Sequence, residues 1–312
     1  MPRALVTGSF GFAGRHLRAL LREQGWQVTG LDSAPRPAPP GEAFLPADLR
    51  DARAVSAAVA EADPEVVFHL AGLMGGASVT DTLETNVVGT LHLLSALAER
   101  GREVRFLLAG SSAQYGAVPP EENPIHEETR FRPVAVYGWS KVAAESAAMS
   151  HHGQGGVEVI VARPFNHVGP DEPPTRACSA FAQQLARIEA GAEPVLRVGN
   201  LESIRDFCDV RDVVRGYLAL AERGQPGRAY NLCSGRGVRM SELLDHLLGL
   251  CSRPVTVEPD PSRMQAADVP IQVGSHERAT TELGWEPRVP LETSLGELLD
   301  YWRRTLEPGN PR

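Results

Sequence analysis

The chain has 312 residues, 42% hydrophobic and 22% charged, with a formal charge of -8. That balance describes a globular protein of one large or two ordinary domains, and the acidic excess argues against nucleic acid or an anionic membrane surface as main partner. No apolar run approaches the ~20 residues that a membrane-spanning helix needs.

The strand pattern that follows Met1 at once leaves no room for a signal peptide. Residues 3–7 (Arg-Ala-Leu-Val-Thr) read as a short buried strand, and Gly8-Ser9-Phe10-Gly11-Phe12-Ala13-Gly14 leads into a helical pattern from Arg15 to Gln24. Glycines between a strand and a helix let backbone N–H groups close on a diphosphate at the helix N-terminus. The loop is therefore expected to hold a dinucleotide, with Gly8, Phe10, Gly11, Phe12 and Gly14 around it. A second strand from Gln27 to Leu31 ends in Asp32. A carboxylate there accepts from ribose hydroxyls and repels a 2′-phosphate, which favours NAD(H) over NADP(H). Arg36, in the Pro-rich loop from Pro35 to Pro40, would soften that preference. Asp48 and Leu49 begin the next crossover, where the aspartate is expected to reach the adenine amine.

Val66-Val67-Phe68-His69-Leu70-Ala71-Gly72 is a buried-strand run that ends in small residues, which would let a cofactor pass close to the strand end. Thr85-Asn86 opens a helix expected to run to about Arg100, with Asn86 bonding backbone and kinking it. Arg105 to Ala109 is the next strand, and it runs into Gly110-Ser111-Ser112-Ala113-Gln114-Tyr115-Gly116. Serines at the C-terminal end of a strand stand where parallel sheets keep their active sites. Tyr137-Gly138-Trp139-Ser140-Lys141 places a phenol and an ammonium one helical turn apart. The lysine is expected to draw the phenol down from its ordinary ~10, so that the pair exchanges a proton with a carbonyl or alcohol oxygen.

Strand and helix alternate in the manner of an α/β protein with a Rossmann-type doubly wound parallel sheet and a smaller C-terminal substrate-binding lobe. Residues 1–165, with a return near 203–232, are expected to form the first domain, and 166–202 with 233–312 the second. Cys178, Cys208, Cys233 and Cys251 stand far apart without a C-x-x-C pair, so they read as reduced thiols of a cytoplasmic protein. No metal site is expected.

The glycine spacing G-x-x-G-x-x-G, Asp32, Asn86, Ser111-Ser112 and Tyr137-x-x-x-Lys141 together resemble the extended short-chain dehydrogenase/reductases. The resemblance implies Ser111, Tyr137 and Lys141 as catalytic residues. It implies Leu70, Ala71, Gly72, Asn86, Tyr137, Lys141 and Pro164 as cofactor contacts beside the glycine loop, and NAD(H) as cofactor with NADP(H) as the alternative. Nucleotide-sugar dehydratases of that family carry an acid two residues after the serine, to protonate a departing hydroxyl. Ala113 cannot do so, which leaves carbonyl reduction or redox epimerisation.

Later segments resemble the GDP-4-keto-6-deoxy-D-mannose reductases, which make GDP-D-rhamnose. They are Arg163-Pro164-Phe165-Asn166-His167, Arg205-Asp206-Phe207-Cys208-Asp209-Val210, Tyr230-Asn231-Leu232-Cys233-Ser234-Gly235 and Asp260-Pro261-Ser262-Arg263-Met264. This implies a nucleotide-sugar substrate held by Ser112, Asn166, Arg205 and Arg263, the arginines being suited to clamp a diphosphate. The relatives carry further arginines where this chain has Gln265, Ala266 and Ala267, so base and sugar stay open. The rivals are a nucleotide-sugar epimerase that keeps its NAD bound and a non-catalytic nucleotide-binding protein. Apolar stripes on the helices near Asn86 and Tyr137 (Leu91, Leu94 and Leu97; Val142 and Ala143) are expected to pair in a homodimer.

Overall fold

The computed structural model describes residues 1–34, 41–264 and 269–307. Arg36 and the stretch Gln265, Ala266, Ala267 lie outside them. In chain order the strands are β1 (Arg3–Thr7), β2 (Gln27–Asp32), β3 (Ala43–Pro46), β4 (Val66–His69), β5 (Val104–Ala109), β6 (Val157–Pro164), β7 (Asn166–Val168), β8 (Val195–Val198), β9 (Ile204–Asp209), β10 (Ala229–Leu232), β11 (Gly237–Arg239), β12 (Thr256–Pro259) and β13 (Ile271–Gln272). The α-helices are α1 (Phe12–Glu23), α2 (Ala52–Ala62), α3 (Val79–Leu83), α4 (Gly89–Glu99), α5 (Val136–Ser150), α6 (Ala177–Glu189), α7 (Val210–Arg223), α8 (Met240–Leu250), α9 (Glu277–Leu283) and α10 (Leu291–Leu306).

Seven parallel strands form the main sheet in the order β3-β2-β1-β4-β5-β6-β10. Side chains alternate across a strand, so successive residues feed two separate cores. In β1, Ala4 and Val6 join Leu17, Leu21, Val213 and Leu220 of α1 and α7, whereas Leu5 joins Val55, Val59, Leu93 and Leu97 of α2 and α4. Such two-sided burial explains why these strands read as continuous apolar runs. β1 and β4 flank the point where strand order reverses, so their C-terminal loops face the crevice in which this fold binds ligands.

The smaller layer packs α6, α8 and α10 around Phe181, Leu185, Leu244, Leu298 and Trp302. It also contains β9, which pairs with β7, β11 and β13. The expected return near 203–232 is thus split. α7 and β10 belong to the main layer, but among the described residues Ile204–Asp209 pairs only with strands of the small sheet. Asp206 fastens that sheet at the strand turn: its buried carboxylate accepts from the backbone N–H of Ser234, Gly235 and Gly274 and from the Ser234 hydroxyl.

The helix expected from Thr85 begins earlier, at Val79, where the Ser78 hydroxyl caps the Asp81 N–H at 3.0 Å. It passes through a single π turn, Glu84–Val88, before continuing as α4. Among the described residues no helix is long and apolar enough to cross a membrane.

Candidate active site

The crevice at the sheet's C-terminal edge has two adjoining chambers that share Gly8, Gly11, Leu70 and Gly72. Their volumes, about 380 Å³ and about 490 Å³, fall in the range of small-molecule sites.

The first chamber is walled by Leu31, Asp32, Ala47, Asp48, Leu49, Ala71 and Leu73. Gly8 opens the turn at φ +64°, and a Cβ there would lie 2.8 Å from Ala71 Cα. A Cβ on Gly14 would collide with the Gly8 carbonyl oxygen. Gly11 is the N-cap of α1 and offers no side-chain cap, which leaves the first N–H groups of the helix to an outside acceptor. Asp32 ends β2 and accepts from the Phe10 N–H at 3.2 Å and the Ser33 N–H at 2.9 Å. This fits a dinucleotide: an uncapped helix end for its phosphates and a carboxylate at the strand tip for a ribose. The Asp48 carboxylate faces the chamber but is held by Arg50, which also keeps it below the ordinary carboxylate range.

The second chamber collects Phe12, Gly14, Ser111, Ser112, Ala113, Tyr137, Lys141, Pro164, Asn166, His167, Arg176, Tyr217 and Gln272. Ser111 follows β5 and caps a short turn, its Oγ accepting from the Ala113 N–H at 3.1 Å. The Ser111 hydroxyl acts on the Tyr137 phenol and draws its pKa down. The Lys141 ammonium, one turn on, is buried, donates to Ala109 O at 2.8 Å and stands 5.9 Å from the centroid of the Tyr137 ring.

The electrostatics differ from expectation. Burial raises Tyr137 above its ordinary value, while the Ser111 hydroxyl and the charge of Arg176 pull it down. Lys141 is itself depressed to about 8 by burial, with its ammonium bonded to Ala109 O. A phenol kept protonated is a proton donor in waiting, which suits reduction of a carbonyl. None of the described residues lining this chamber is an aspartate or glutamate, and Ala113 is in its wall.

Four expected contacts do not line either chamber. Phe10 turns its ring onto Phe44, 4.9 Å between centroids. Asn86, at the π turn, stands behind Gly72: it clasps the Leu73 backbone at both ends (2.7 and 3.0 Å) and donates to Ser140 Oγ at 2.8 Å. Arg205 lies within the small sheet and donates to Ile204 O at 2.9 Å. Arg263 pairs with Asp260 at 3.2 Å in its own turn. The sequence reading missed Arg176, an arginine that does reach the chamber.

A buried polar chain stands behind Ala71 in the wall of the first chamber. Thr90 donates its hydroxyl to Asn86 O at 2.7 Å, so it accepts from His69 Nε2 at 2.9 Å. His69 Nδ1 then accepts from Thr7 Oγ1 at 2.7 Å, and Thr7 takes the Ala71 N–H at 3.2 Å. The neutral Nε2–H tautomer of His69 satisfies every link. It ties β1, β4 and the π turn together just below the glycine loop.

Residues 4–233 match the model of the NAD dependent epimerase/dehydratase family. The chain is 36% identical over 311 residues to a GDP-6-deoxy-D-mannose reductase of Pseudomonas aeruginosa, covering 96% of this chain and 97% of that one. The structure of RMD from Pseudomonas aeruginosa complexed with NADPH superimposes with a TM-score of 0.84 at 34% identity, over 97% of this chain and 100% of the other. A UDP-glucose 4-epimerase of Thermus thermophilus in complex with NAD superimposes with a TM-score of 0.86 at 28% identity, over 96% of this chain and 99% of the other.

Proposed function

For a chain that belongs to the NAD dependent epimerase/dehydratase family of extended short-chain dehydrogenase/reductases, we propose reduction of the 4-keto group of a nucleotide-linked 4-keto-6-deoxyhexose by NAD(P)H. GDP-4-keto-6-deoxy-D-mannose is the substrate and GDP-D-rhamnose the product that the relatives favour. The observation that carries this reading is the meeting of Ser111, Tyr137 and Lys141 in one chamber with no lining carboxylate among the described residues. Dehydration needs an acid on a departing hydroxyl, and Ala113 supplies none.

Bound NAD(P)H supplies the hydride. Tyr137 gives its proton to the sugar carbonyl oxygen as charge develops there, and Ser111 donates a hydrogen bond to the same oxygen. Lys141, close under the Tyr137 ring, favours the phenolate left behind. Gly8, Gly11, Phe12 and Gly14 seat the dinucleotide phosphates, Asp32 its ribose, and Asp48, Leu49, Leu70, Ala71, Gly72 and Pro164 shape its channel. Ser112 and Asn166 face the sugar side. Asn86 acts through Leu73 and Ser140 as a positioning residue. The division of labour follows the layers, with the seven-stranded layer holding the coenzyme and the smaller one closing over the sugar nucleotide.

Two further readings belong here. Val79, Leu83 and Val88 expose apolar side chains on α3 and the turn after it, as do Val136 and Trp139 on the adjoining α5. Leu94 and Leu97, by contrast, are buried in the chain's own core. The exposed face is the one we assign to a homodimer, and Trp139→Lys would leave a monomer in sedimentation. Unpaired Cys178, Cys208, Cys233 and Cys251 suit a reducing cytoplasm.

The test is coenzyme oxidation with GDP-4-keto-6-deoxy-D-mannose, beside dTDP- and CDP-linked 4-keto sugars. Stoichiometric consumption of added NAD(P)H supports the reductase. No consumption, with NAD released in equal amount on denaturation, would support an epimerase instead.

A further inference from the structure

Arg176 opens α6 as its N-cap, with no side-chain cap there. A cation at the positive end of a helix is locally unfavourable, so helix formation does not explain this residue. Its Nε is fully buried and has no hydrogen-bond partner among the described residues. The guanidinium lies 5.9 Å from the Phe12 ring centroid and its charge reaches Tyr137 and His167.

The surroundings do not neutralise it. Glu172, which feels the same charge, is buried with Oε2 unpartnered, and burial holds it up to about 8. Among the described residues the chamber wall contains two cations, Lys141 and Arg176. Lys141 already donates to Ala109 O. The uncapped start of α1 provides neutral donors for the dinucleotide phosphates. A nucleotide sugar brings a second diphosphate, and Arg205 and Arg263 do not line the chamber.

We propose that Arg176 is the residue that binds the diphosphate of the sugar nucleotide, fixing the distance from that anion to Tyr137 and so which ring carbon meets the phenol. This rests on the reading of the site as one for a nucleotide sugar. A guanidinium offers paired donors to phosphate oxygens.

The experiment measures binding of GDP, of guanosine and of NADPH by calorimetry to wild type, Arg176→Ser and Arg176→Lys, GDP and guanosine being titrated into NADPH-loaded protein. Serine is a favoured N-cap, so Arg176→Ser is expected to keep or raise the melting temperature, which separates a binding loss from misfolding. The expected result is GDP binding weakened about 10- to 100-fold in Arg176→Ser, partial recovery in Arg176→Lys, and unchanged NADPH and guanosine affinity. With the 4-keto sugar nucleotide, KM should rise more than kcat falls. Unchanged GDP binding in Arg176→Ser would overturn the assignment while leaving the reductase reading intact. A loss confined to NADPH would overturn it in favour of a coenzyme contact. Wild type that binds NADPH but not GDP would overturn both the assignment and the choice of sugar nucleotide.

Discussion

Gln114 donates its side-chain amide to Glu145 Oε2 at 2.6 Å, while its own carbonyl oxygen accepts the Ser111 N–H at 2.8 Å. Glu145 is one turn beyond Lys141 on α5 and is also held by buried Arg163. The two bonds couple the loop that presents Ser111 to the helix that presents Tyr137 and Lys141. Gln114→Leu removes both and leaves a buried N–H and a buried carboxylate oxygen short of partners, at about 1–3 kcal/mol of stability. The expected outcome is a kcat about tenfold or more lower, with the Kd for NAD(P)H unchanged because the glycine loop is untouched. Steady-state kinetics with a coenzyme titration checks it.

The coenzyme loop gives a sharper steric prediction. Gly14→Ala drives a methyl into the Gly8 carbonyl and should abolish NAD(P)H binding. Gly249→Ala, in the last turn of α8 with open space around it, should be neutral or stabilising by up to about 0.5–1 kcal/mol. Melting temperatures and coenzyme fluorescence distinguish the two.

Asp32 accepts two backbone N–H groups at the tip of β2, which holds its carboxylate at the wall of the first chamber. Asp32→Ser should improve the kcat/KM ratio of NADPH over NADH by about tenfold or more, since repulsion of the 2′-phosphate is removed. An unchanged ratio would remove Asp32 from coenzyme selection.

His69 is buried between Thr7 and Thr90, and burial together with the charge of Lys141 depresses it to about 3. Its folded value lies below the ordinary ~6.5 of an unfolded histidine. The stability it lends is therefore complete above ~6.5 and falls as pH drops from ~6.5 toward ~3, amounting to about 2 kcal/mol lost by pH 5. Urea unfolding of wild type and His69→Gln at pH 7 and pH 5 should show the stability gap between them narrowing on acidification. The same variant should weaken NAD(P)H binding, since Thr7 and Ala71 border the loop.

Much of this was readable from the chain because it is local. The apolar runs of β1 and β5, the glycine turn and the Tyr137/Lys141 spacing are each set by neighbours in sequence. What was not readable depends on partners far along the chain. Arg205 resembles a phosphate clamp in its motif, yet β9 is stitched into the small sheet and Asp206, beside it, is spent on Ser234, Gly235 and Gly274. Asn86 resembles a coenzyme contact, but the π turn aims it at Leu73 and Ser140. The tuning of Tyr137 was assigned to Lys141 by helical spacing, whereas the groups that oppose its burial are Ser111 and Arg176. Arg176 has only its awkward place at a helix start to mark it.

The central claim is that Tyr137 protonates a sugar ketone as hydride arrives. It is tested most directly by single-turnover reduction of GDP-4-keto-6-deoxy-D-mannose with NADPH-loaded wild type and Tyr137→Phe. The account predicts stoichiometric coenzyme oxidation by the wild type and a rate lower by about 10²–10⁴-fold in Tyr137→Phe, with sugar-nucleotide affinity retained. Equal rates in the two proteins would contradict it.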